Sequence, residues 1–195
     1  FTMPDGSVEL KIVTTEKGDI KEVTKPIEVS KDVDKEIVED LSKVKLDNTK
    51  TGLLESVDTS KLEGVTETDK VEVSIKATLN SYDKEKNTLV FDIKPFYSIN
   101  GTEKGIIPNN LLTKTIKIEL PVTSSVTDTH VKVIHKSGKK VIGTKNYEIK
   151  TRDKSKYITI DTERLSTFEL SYYTPRPVEH PTTGDGRIGY ILLTI

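Results

Sequence analysis

Val71-Glu-Val-Ser-Ile-Lys-Ala-Thr-Leu79, a polar break, then Thr88-Leu-Val-Phe-Asp-Ile-Lys-Pro95: the reading of these two runs decides the fold. In the first, Val71, Val73, Ile75, Ala77 and Leu79 alternate with Glu72, Ser74, Lys76 and Thr78. Alternation at the period of a strand puts one face in a core and the other in water. Asp83-Lys-Glu-Lys-Asn87 is a polar turn and the second run answers as the returning strand, so residues 70–95 predict a β-hairpin. Phe96-Tyr-Ser-Ile99 prolongs the return past Pro95, and Asn100-Gly101 is a strong hairpin-turn signal. Because Pro95 has no N–H, a bulge or a sheet edge is expected there.

Downstream the same period recurs after a loop through Gly105 and Pro108. Thr115-Ile-Lys-Ile-Glu-Leu120 ends at Pro121, and His130-Val-Lys-Val-Ile-His135 turns through Ser137-Gly138 into Val141 and Ile142. Tyr147-Glu-Ile149, Tyr157-Ile-Thr-Ile-Asp161 and Phe168-Glu-Leu-Ser-Tyr-Tyr173 follow. Short alternating strands with turns between them predict a mainly β protein, an antiparallel β-sandwich. No crossover helix is evident among these strands to build a parallel sheet. Upstream the period changes. Val33, Ile37, Val38, Leu41 and Val44 recur at helical steps, with Ser30 as N-cap and Asp32 and Asp34 in the first turn, which predicts one short amphipathic N-terminal helix over about 31–45. Its charged outer face reads as solvated surface. Leu53, Leu54 and Val57 mark a short element of undefined type, and residues 59–69 read as loop.

The 195 residues are long enough for one or two domains with real cores. Lys plus Arg number 30 against 31 Asp plus Glu, so no basic field exists to attract a nucleic acid. Cysteine is absent, which removes disulfides, thiolate catalysis and cysteine-based metal sites together. Chemistry elsewhere is equally sparse. His130 and His135 sit an odd number of residues apart on one strand, hence on opposite faces, where they cannot share a zinc ion. No Gly-x-Ser-x-Gly, phosphate loop or His-Glu-x-x-His is present. The acidic turns at 32–34 and 83–87 lack the ligand density and central glycine of a calcium loop. Asn100-Gly-Thr102 is formally a glycosylation acceptor but reads as a turn. These residues give no catalytic, cofactor or metal assignment.

Resemblance carries the functional expectation. Leu89-Val-Phe-Asp-Ile-Lys-Pro95, Ile116-Lys-Ile-Glu-Leu-Pro121, Val131-Lys-Val-Ile-His135 with Ser137-Gly138, and Tyr157-Ile-Thr-Ile160 before Leu165-Ser-Thr-Phe-Glu-Leu170 are similar to the membrane-proximal β-domain of Firmicutes surface proteins. The Leu-Ser-Thr-Phe step also resembles ZU5-like sandwiches, so the sandwich is expected to be Ig-like or ZU5-like. Phe1-Thr-Met-Pro-Asp-Gly-Ser-Val8, continuing with alternating Leu10 and Ile12, resembles the last strand of a bacterial surface repeat module.

The tail Pro175-Arg-Pro-Val-Glu-His-Pro-Thr-Thr-Gly184, continuing through Asp185-Gly-Arg-Ile188 into an apolar run to Ile195, resembles a Gram-positive cell-wall sorting signal. Sortase cuts such a Leu-Pro-x-Thr-Gly box between Thr and Gly. The matching positions are Pro181, Thr182, Thr183 and Gly184, with His180 in place of Leu. The run 188–195 is far shorter than the ~20 residues of a membrane span, so the chain reads as a fragment of a longer protein.

Together the resemblances imply an upstream module ending at 1–14, a joint at 15–25, a sandwich stalk over 26–173 and an extended tail over 174–195. Sortase and peptidoglycan are the implied partners, with membrane contact only through the remainder of a span, an extracellular, wall-anchored location and no catalytic role. The alternatives are an adhesive module binding host protein or glycan, or an accessory domain of a wall-acting or glycan-acting hydrolase. Tyr82, Tyr97, Tyr172 and Tyr173 are the only aromatic candidates named for a sugar platform, since tryptophan is absent.

Overall fold

The computed structural model of the protein describes residues 18–176. The upstream strand expected within residues 1–14 and the box Pro181, Thr182, Thr183 and Gly184 lie outside the described residues. In chain order the elements are β1 (Ile20–Thr24), β2 (Glu28–Val29), α1 (Lys35–Ser42), α2 (Leu53–Ser56), β3 (Val71–Asp83) and β4 (Thr88–Ile99). They continue with β5 (Thr102–Ile106), β6 (Ile116–Val122), β7 (His130–Ser137), β8 (Lys140–Glu148), β9 (Lys150–Arg152), β10 (Ser155–Thr162) and β11 (Thr167–Tyr173).

The expected hairpin is the spine. β3 pairs antiparallel with β4 from Val71 opposite Ile99 to Asp83 opposite Thr88, so Val71, Val73, Ala77, Leu79, Leu89, Phe91 and Ile93 share one face. β4 continues through Asn100 and Gly101, whose φ of 52° and 80° make the two-residue turn into β5. The large sheet runs β1-β3-β4-β11-β7-β8, with β2 pairing farther along β3 and β5 along β4 for eight strands in all; β6-β10-β9 form a second, three-stranded sheet. Ile116, Ile118, Leu120, Ile158 and Ile160 of the small sheet share one buried core with the inner face of the large one. The protein is thus mainly β and antiparallel-rich, sandwich-like in arrangement, with a short N-terminal helix.

Several sequence expectations need correction. The joint expected at 15–25 contains β1, which lies parallel on β3 with Ile20 opposite Val71 and Thr24 opposite Ile75. β2 is also parallel to β3, with Glu28 opposite Thr78. Between these two edge segments three residues, Lys25 to Ile27, face two on β3, and Pro26 occupies that irregularity, where a missing N–H is harmless. The parallel pairing does have its crossover: α1 and α2 lie between β2 and β3.

The helix is shorter than its periodicity suggests, because the N–H of Ser30 bonds to the Leu79 carbonyl at 2.9 Å and keeps that residue in the sheet. Asp34 caps the helix instead, accepting from the Glu36 N–H at 2.9 Å. Gly105 belongs to β5, next to a bulge, and β6 runs on past Pro121 to Val122. Pro95 is neither bulged nor on an edge of β4 against β3. Its carbonyl accepts from Ile107, while Ile93, two residues earlier, donates to Ser166 before β11. The proline therefore sits where the neighbour of β4 changes, and no strand there needs its N–H.

Residues 26–62 form a strap that closes one flank of the sandwich. Asn48 plays the part of a neighbouring strand for β6: its Oδ1 accepts from the Glu119 N–H at 2.7 Å and its Nδ2 donates to the Glu119 carbonyl at 3.0 Å. The N–H of Lys117 donates to Thr51 at 2.8 Å. α1 lays Val33, Ile37, Val38 and Leu41 on the core, and its Asp40 accepts from the Ser124 N–H. Among the described residues, the opposite flank, between β8 and β10, has no such cover.

Candidate functional site

Two places stand out: the pair of points where the chain joins and leaves the large sheet, and the uncovered flank. At the first point Gly18 donates to the Glu67 carbonyl at 2.8 Å, and the Asp19 carbonyl accepts from Val71 at 2.8 Å. The space there is minimal, since a Cβ on Gly18 would lie 1.9 Å from the Asp69 carbonyl oxygen. Asp69 organises the junction. One carboxylate oxygen accepts from the Thr66 hydroxyl and N–H, the other from the Asn100 amide, and these bonds hold its carboxyl below the usual range. From this junction β1 is bolted sideways. Lys21 pairs with Glu72 at 2.9 Å, and the Glu22 carboxylate takes the Thr51 hydroxyl at 2.6 Å and N–H at 2.9 Å, tying β1 to the start of α2.

The chain leaves at the other end. β11 is antiparallel to β4 and β7, with Ser171 opposite Thr88 and Tyr173 opposite His130. Thr88 in turn faces Asp83, the last residue of β3, whereas β1 begins beside Val71, the first. The chain therefore arrives at one end of the sheet and departs at the other. Thirteen residues of β3 separate the two levels, about 40 Å at ~3.3 Å per residue. β1 and β11 run in the same direction, since β1 is parallel to β3 and the two antiparallel steps from β3 through β4 to β11 reverse the sense twice.

The uncovered flank is an open cleft of about 550 Å³, lined by His135, Lys145, Tyr147, Asp161, Arg164 and Phe168 among others. His135 stacks on Phe168 with ring centroids 4.1 Å apart, and its Nε2 lies 2.8 Å from Ser166 Oγ. Ser166 spends its proton on the Lys136 carbonyl at 2.7 Å, so the imidazole is the donor in this pair. Burial, with Arg164 nearby, lowers the histidine pKa to about 4. In this arrangement the imidazole holds the Ser166 hydroxyl in place by donating to it. His130 lies on the other face, near Tyr173 with centroids 5.7 Å apart, as the odd separation predicted.

The remaining candidates resolve into structural roles. Asp83 is occupied by the N–H and ammonium of Lys86, and Asp34 by its helix cap. Among the described residues no group of three or more His, Cys, Asp or Glu is placed to hold a metal. Glu119, the one carboxylate among the buried polar residues, receives both Arg152 nitrogens at 2.7 and 2.8 Å and the Asp47 N–H at 2.6 Å, joining the small sheet to the strap; its charge raises the Arg152 pKa.

A sugar platform needs exposed neighbouring aromatic rings. Tyr97 and Tyr172 are instead buried, Tyr82 is half-buried against the core, and Tyr173 is half-buried beside His130. The outer face of the large sheet carries ion pairs, Lys94 with Asp92 at 2.6 Å, Lys76 with Glu103 at 2.6 Å, and Lys136 with Glu169.

The sequence named the tail box, which lies outside the described residues, and missed both the Glu22 bolt and the opposed chain ends. The only signal for the bolt was a five-residue run, Ile-Lys-Glu-Val-Thr, too short to stand out. Comparison with protein-family models, with curated proteins and with solved structures finds no match.

Proposed function

We propose that this chain is a non-catalytic spacer of a wall-anchored bacterial surface protein, with the sandwich holding upstream modules away from its attachment point. The observation that carries the reading is the placement of the chain ends at opposite ends of the long sheet. A domain so connected adds its full strand length to the reach of whatever precedes it. Consistent with a spacer are the charge-paired outer face, the side-chain bonds that hold the arriving strand and the burial of Tyr97 and Tyr172, two of the rings a sugar platform would expose.

Attachment would run through the tail. A sortase thiolate attacks the Thr183 carbonyl carbon, the amide bond to Gly184 breaks, and the chain from Gly184 onward leaves with a protonated amine. An amine of the wall peptide then displaces the thiol and becomes amide-bonded to Thr183. Incubating the full-length protein with sortase of the source organism and an amine acceptor should give, by mass spectrometry, a product ending at Thr183 and joined to the acceptor. Thr183→Ala should abolish it. An uncut wild-type chain would overturn the anchoring part of the proposal.

A further inference from the structure

The geometry points to β1 and β3 as a shear clamp: the parallel pair through which tension on the chain enters the domain. This inference rests on the spacer reading, since a spacer between a wall and a distal module is the element that carries load. Tension pulls Gly18 away from the sheet along the axis of β1 and pulls the chain after Tyr173 the opposite way along β11. β1 is therefore dragged lengthwise past β3, so the ladder from Ile20–Val71 to Thr24–Ile75 resists as a unit. Peeling from one end would break the same bonds in turn.

β11 is held on both sides, by five paired residues on β4 and seven on β7, while β1 has five on β3 alone. β1 is consequently the limiting element, and its side-chain bonds matter most there. Glu22 crosses from β1 to Thr51 in the strap, and Lys21 crosses to Glu72 of β3. Both lie across the direction of slip, and each must break before β1 moves by one residue.

Single-molecule pulling on the full chain tests this, and the absence of native cysteine lets handles be placed by single substitutions. With cysteines at Asp19 and Arg176 the clamp is sheared. With cysteines at Asp19 and Lys104, both toward the end where β3 begins, β1 is peeled. The sheared geometry should need about twofold or more the force of the peeled one, because the ladder bonds fail together rather than in sequence. Equal forces would overturn the clamp.

Glu22→Ala should lower the shear force more than Val133→Ala does, although Val133 is a buried residue of the distant β7. An equal or larger loss with Val133→Ala would overturn the assignment to β1. Should Glu22→Ala fail to fold, Thr51→Val removes the same hydroxyl bond and is read the same way. Failure of sortase cleavage would leave the force ratio untouched, and equal forces would leave the cleavage result untouched.

Discussion

His135 is held as a neutral donor between the Phe168 ring and the Ser166 hydroxyl, and the consequence is a pH dependence with a definite sign. Its folded pKa of about 4 lies below the reference of 6.5, so between those values the unfolded chain binds the extra proton. The contribution of this group is therefore complete above pH 6.5 and is lost as pH falls toward 4. Arg164 and Lys145 line the same cleft and oppose a second positive charge, while Asp161 and Glu163 at its rim soften that opposition. Urea midpoints should fall for the native chain between pH 7 and pH 4.5 by more than for His135→Phe, which keeps an aromatic ring but has nothing to protonate. Parallel curves for the two proteins would refute the account. The sequence placed His130 and His135 on opposite faces correctly, because strand period alone decides that. It could not show that Ser166 would meet His135, because that contact depends on β11 lying beside β7.

At the scale of elements, Gly18, which leads into β1, is the most tightly enclosed glycine among the described residues. Gly18→Ala would push a methyl group into the Asp69 carbonyl, and backbone cannot yield as a side chain end would. We expect a loss of about 1–3 kcal/mol, the usual cost of overpacking, measurable as a lower thermal midpoint. Hydrogen exchange should be faster at Val71, whose N–H bonds to Asp19. Unchanged exchange there would show that the chain accommodates the methyl elsewhere.

The same region explains what could be read in advance. The β3–β4 hairpin and the Asn100-Gly101 turn were legible because alternation and positive φ are local properties. β1 was not legible, because its partner lies about fifty residues away and its parallel register is fixed by the strap. The helix start was misplaced for a similar reason: Ser30 is a good cap in isolation, but a long-range bond to Leu79 claimed its N–H.

For the whole molecule, one core shared between the two sheets predicts cooperative unfolding. Phe91 is fully buried on β4, beside Leu79 and Phe168, so Phe91→Ala should cost about 3–5 kcal/mol. Fluorescence and circular dichroism should still fall together in urea; separated transitions would mean that the strap and the sandwich unfold as independent units. The surface ion pairs contribute far less, each about 0–1 kcal/mol and weaker in salt, so changes in ionic strength leave the fold largely unaffected.

The strap also sets an order of assembly. The hairpins β3–β4, β4–β5, β7–β8 and β9–β10 pair through short connections, whereas β1 meets β3 only after about fifty residues close into a loop around α1 and α2, and β11 meets β4 across about eighty, each at an entropic cost that grows with loop length. The strands that carry the chain into and out of the domain thus lock after the local hairpins. The first segment made therefore stays unpaired until β3 has followed it, about fifty residues later, to offer the edge it joins.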